Sequence, residues 1–222
     1  MTQDFTFGSR FGRRLRAFGR AEAGTTLPEL AIVVALMLAM VFALIDFGRL
    51  AYARVATEKA LQRAVRVAAV RPPACAGVPD HISRGPVATG GTPPRYGTPC
   101  RDGATICADP GNFVCTGNAG NATAVEIWGI LQPVLPGSAT ISDLQVRYDH
   151  DDDLGFLGGP YVPVVTVSLT GVDFTFATAF GGFAAAAAGL TGTTLPDAND
   201  TVPYPDLSVS IPGEDLASGT DG

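Results

Sequence analysis

Sixteen consecutive apolar residues run from Leu30 to Ile45, bracketed by Glu29 and Asp46. At 1.5 Å of rise per residue the run covers about 24 Å as a helix, and Leu27 and Phe47 extend it towards the thickness of a bilayer core. After Asp46 the pattern changes from continuous to periodic. Leu50, Ala53, Ala60, Leu61, Ala64, Val65 and Ala68 recur at helical spacing, with Arg49, Arg54, Glu58, Lys59, Arg63 and Arg66 between them. No breaker intervenes until Pro72 and Pro73. The pattern predicts one helix over 25–71, a transmembrane half followed by an amphipathic half. The buried stripe of the second half is mostly Ala, which lets another helix or a sheet approach closely.

Beyond the helix the signals are shorter. Residues 72–99 hold seven prolines and five glycines, and the Pro/Gly/Cys-rich region 72–120 reads as irregular loop. "NATAVEIWGILQPVLPGS" predicts a short helix from about Thr123, closed by Pro133 and Pro136. "ATISDLQVRYD" alternates Ile141, Leu144, Val146 and Tyr148 with one irregular step, as a strand does; "YVPVVTVSLTG" is the clearest strand, and Asp206–Ile211 a last one. The uncharged stretch Phe174–Leu190 is weakly hydrophobic and carries Gly181-Gly182, so it reads as a helix or loop packed against the sheet rather than a second span. No period of 20 to 50 residues repeats. The expected fold is α+β: a long N-terminal helix packed on a small, mostly antiparallel sheet with disulfide-bearing loops, the extracytoplasmic α+β domain covering 121–222.

Charge gives this layout a direction. Residues 1–24 carry five arginines against Asp4 and Glu22, whereas 72–222 carry four arginines against sixteen carboxylates. A basic leader resists translocation, so the N-terminus is expected in the cytoplasm and the acidic part outside. That acidic part has no electrostatic footprint for nucleic acid. All four cysteines, Cys75, Cys100, Cys107 and Cys115, follow the span, where an oxidising compartment would pair them. Zinc is the rival reading, but there is no C-x-x-C and the histidines are His81 and His150 alone. Three pairings are possible; Cys75 with Cys100 and Cys107 with Cys115 is favoured because each closes a local loop.

Other candidate chemistry is thin. Asp149, Asp151 and Asp153 alternate as calcium ligands do, but Gly155 and Pro160 depart from an EF-hand loop, and a solvated acidic turn is the plainer reading. Asn121 and Asn199 begin glycosylation triplets. No metalloprotease, nucleophile-elbow or phosphate-loop motif is present, so no enzyme activity and no cofactor is expected. "TTLPE" fits a capping box, with Thr26 as N-cap, Pro28 in the first turn and Glu29 reaching back.

The same residues have a second reading. "GTTLPE", preceded by a basic leader and followed by an apolar helix, resembles the start of a type IV pilin. "ALIDFGRLAYARVATEKALQRAVRVAAVR", Ala43 to Arg71, is similar to the TadE-like pilus assembly proteins, with Asp46, Phe47, Gly48 and Arg49 carrying the likeness. The resemblance covers about residues 20 to 71. It implies a non-enzymatic minor pilin, or pseudopilin, of a Flp-type adhesion pilus, anchored in the bacterial inner membrane. It implies a prepilin peptidase that cuts between Gly24 and Thr25, and partners among other pilins and the inner-membrane assembly platform. Glu29 would then neutralise the new Thr25 amine of a neighbouring subunit in a low-dielectric bundle. Thr25 in place of Phe, and Pro28 in the first turn, depart from major pilins and leave the pseudopilin assignment intact. Two other readings stay open: a signal-anchored extracytoplasmic binding protein that keeps its leader, and a secreted protein cut after Ala53. The mature N-terminus separates all three.

Overall fold

The computed structural model describes residues 26–177, 201–214 and 216. It divides into two compact units, 1–47 and 48–222. One element belongs to both, the 45-residue helix α1, Thr26–Val70. In the first unit its apolar residues face outward on every side, Leu36 at 67% and Met40 at 68% exposure among them. A helix apolar all round is at rest only inside a protein or a membrane. Among the described residues α1 is the one helix long and apolar enough to cross a bilayer.

In the second unit the helix becomes two-faced. Thr57, Ala60, Leu61, Ala64, Val65 and Ala68 are buried, while Tyr52, Val55, Lys59, Arg63, Arg66 and Val70 are exposed. The buried stripe joins one hydrophobic core with the inner face of an antiparallel four-stranded sheet. That sheet has the order β1-β2-β3-β6, from β1 Phe113–Thr116, β2 Leu144–Asp149, β3 Val164–Leu169 and β6 Leu207–Pro212. Register puts Leu144 opposite Leu169, Val146 opposite Val167 and Tyr148 opposite Val165. All six are at most 2% exposed. The alternate positions, Gln145, Arg147, Thr166, Ser168, Ser208 and Ser210, form a polar outer face, as expected of a sheet covered on one side only. Ala60, Ala64 and Ala68 of the helix share the core with the inward-facing side chains of β2 and β3.

The far end of α1 is fastened by the shorter helix α2, Ala122–Leu131. Pro72 and Pro73 end α1 and leave carbonyls without helical partners. Thr123 Oγ1 donates to the Pro72 carbonyl at 2.8 Å and Asn121 Nδ2 to that of Pro73 at 3.3 Å. Arg71 and Glu126 pair at 3.0 Å beside them. Asn121 also caps α2, its Oδ1 accepting from the Ala124 amide at 2.9 Å. Both ends of the Asn121 amide are therefore engaged.

The disulfides correct the favoured pairing: the bonds are Cys75–Cys115 and Cys100–Cys107. The cause is register rather than distance along the chain. Cys115 sits on β1 beside β2, and Tyr148 of β2 accepts a hydrogen bond from the Ala74 amide at 3.0 Å, so the sheet delivers residue 75 to β1. Cys100 and Cys107 close a tighter loop, begun by a single 3-10 turn at Cys100–Asp102. Gly85 abuts this loop with its amide on the Ile106 carbonyl, and a Cβ there would collide with the Thr105 carbonyl.

Two further elements differ from expectation. β1 lies in the segment read as loop. Phe174, at the start of the stretch read as helix or loop, belongs to a short ladder of β4 Asp173–Thr175 with β5 Thr201–Pro203. Residues 178–190 of that stretch lie outside the described residues.

Candidate assembly site

Glu29 and the Asp46–Arg49 motif, singled out by sequence, lie along α1. Glu29 is exposed in the first turn, where the positive end of the helix dipole favours a carboxylate. The expected cleavage point, Gly24 and Thr25, and the side chain of Thr26 lie outside what is described. Further along, Asp46 is only 1% exposed whereas Phe47 is 59% exposed. A Cβ on Gly48 would meet nothing within 4 Å, so the chain's own packing does not demand glycine there. Glycine inside a helix costs about 1 kcal/mol relative to alanine.

Arg49 points across a groove of the second unit. Its guanidinium carbon stands 5.9 Å from the centroid of the Phe174 ring, within cation–π reach. The groove holds about 290 Å³ and is lined by Arg49, Tyr52, Val134, Leu135, Pro136 and Phe174. The sequence marked Arg49 but neither the 134–136 turn nor Phe174. Their signal was hidden, since Phe174 opens a low-complexity stretch and the prolines read only as a stop for α2.

The buried polar links behind this surface join the helix to the sheet side of the unit. Tyr204 donates to Thr57 Oγ1 at 3.0 Å, and Thr57 donates to the Ala53 carbonyl at 2.9 Å. Burial pushes the Tyr204 and Tyr148 phenols up from their ordinary range. Tyr161 is pushed up to about 12 by burial first, then by the charges of Asp109 and Asp149. Its ring stacks on His150 with centroids 6.2 Å apart.

The acidic turn does not gather into a cation cage. Asp149 pairs with Arg147 at 2.6 Å, Asp151 Oδ1 accepts from the Asp153 amide at 3.0 Å, and Asp152 meets His150 Nε2 at 3.2 Å. Among the described residues, no group of three or more His, Cys, Asp or Glu side chains could hold a metal ion. Of the two glycosylation triplets, Asn121 spends its amide on the helix ends and Asn199 lies outside the described residues.

These features define a protein with an apolar helix long enough to cross a membrane and a disulfide-stapled α+β unit. Residues 24–66 match the family model described as TadE-like protein, and the chain carries a TadE-like domain there. The match begins at Gly24 and takes in Glu29 and the Asp46–Arg49 motif. It supports involvement in Tad/Flp pilus assembly. No curated protein and no solved structure matches the chain at a significant level.

Proposed function

We propose that the protein is a minor pilin, or pseudopilin, of a Flp-type pilus, matured by a prepilin peptidase between Gly24 and Thr25. The observation that carries this reading is the start of the TadE-like match at Gly24, ahead of a helix whose first half is apolar on all sides. The leader stays in the cytoplasm because of its arginines, and the acidic unit lies outside. Cleavage removes those arginines and creates an amine at Thr25. In a bundle of apolar helices that amine is a cation in a medium of low dielectric, and Glu29 of a neighbouring subunit neutralises it. The exposure of Glu29 is compatible with that contact. The role is structural: subunits, peptidase and inner-membrane platform are the partners, and no reaction is catalysed by this chain.

The test is a strain whose only copy carries Glu29→Gln. The substitution keeps the shape of the side chain and removes its charge. Cleavage should proceed while pili fall to a small fraction of normal, scored by counting after mature protein is shown to be equal. Normal piliation would leave Glu29 with no role beyond capping its helix, a contribution of about 1 kcal/mol.

A further inference from the structure

The second unit is electrically divided. On α1, Lys59, Arg63 and Arg66 stand on one solvent-facing stripe, each exposed, and none has a side-chain partner among the described residues. Their neighbours are spoken for: Arg54 pairs with Glu58 and Arg71 with Glu126. From residue 72 onward the balance reverses to four arginines against sixteen carboxylates. Asp152 and Asp153 are exposed at the tip of the turn that follows β2.

We propose that the Lys59–Arg63–Arg66 stripe of one copy docks on the 149–153 acidic turn of a second copy of this chain. Charge complementarity selects the occupant, because the surface opposite in sign to the stripe is carried by the same molecule. The charges do not find each other inside one subunit. The acidic turn follows Tyr148, which is bonded to Ala74 beyond the end of α1, while Lys59 lies eleven residues before Val70. Bringing stripe and turn together on two copies therefore offsets them along the helix by on the order of 15 Å. Stripe and turn are different surfaces, so the contact is heterologous and leaves one of each free for the next copy. This docking deepens the pilin reading but rests on other residues, and it stands or falls separately from cleavage at Gly24.

Lys59 is the single lysine of the chain, which makes a direct experiment possible. A carbodiimide joins an amine to a carboxylate only where the two touch. Full-length protein, half of it isotopically labelled, would be mixed in detergent micelles at low salt, treated, and mapped by mass spectrometry. The expected product is a mixed-label peptide joining Lys59 of one copy to Asp151, Asp152 or Asp153 of the other, abolished by Lys59→Arg and reduced at least tenfold in 0.5 M salt. Arg63→Glu with Arg66→Glu should suppress it to a similar extent. Adding Asp152→Lys and Asp153→Lys to that variant should restore cross-linked dimers. Links confined to one copy, links from Lys59 to carboxylates outside 149–153, or dimers indifferent to charge reversal would each overturn the proposal.

Discussion

Tyr148 and Tyr161 are buried phenols of the same sheet unit with opposite situations. Tyr148 accepts the Ala74 amide, so Tyr148→Phe removes the acceptor and strands a buried N–H, at a cost of about 1–3 kcal/mol in unfolding free energy by denaturant titration. Tyr161 has no hydrogen-bond partner for its hydroxyl among the described residues. Its phenol ionises at about 12 in the folded protein, against an ordinary value near 10. The unfolded chain therefore loses this proton first. Stability contributed by the neutral phenol is complete below about pH 10 and disappears as the pH climbs towards 12. Thermal melts across that window should show a falling Tm, with a shallower fall in Tyr161→Phe. Neither role could be read from sequence. Alternation marked Tyr148 as inward-facing, but the partner of its hydroxyl is set by where Pro72 and Pro73 turn the chain.

At the scale of elements, the long helix and the strands β2, β3 and β6 were legible because each carries its own period, 3.6 or 2, over enough residues to stand out. The cystine pairing was not, because it depends on which strand lies beside which. Cys75–Cys115 closes 40 residues and Cys100–Cys107 closes 7. By loop entropy these bonds stabilise by about 4 and about 2 kcal/mol. Paired replacement by serine should therefore lower stability more at 75 and 115 than at 100 and 107, measured by the same denaturant titration under non-reducing conditions. The β4–β5 ladder was illegible for another reason: three residues a side are too few to show alternation. Where the helix meets the sheet, Ala64 is fully buried. Ala64→Leu should overpack that contact and cost about 1–3 kcal/mol, whereas the same change at exposed Gln62 should be close to neutral.

For the whole molecule, the part of the candidate site legible in sequence is the part that shows as pattern: an apolar run, a glutamate at its mouth, and Asp46–Arg49 at its end. The groove beneath Arg49 depends on Phe174 and the 134–136 turn, which only tertiary structure brings to α1. The proposed division of labour is that α1 carries the subunit in the membrane and into the pilus while the stapled unit meets its neighbours. The pilin reading presumes one covalent event, cleavage between Gly24 and Thr25. Mass spectrometry of the N-terminus of protein recovered from the native membrane and from sheared pili tests it most directly. The account predicts a chain beginning at Thr25. An intact leader would point to a signal-anchored binding protein, a start at Arg54 would point to ordinary secretion, and either result would contradict the pilin reading.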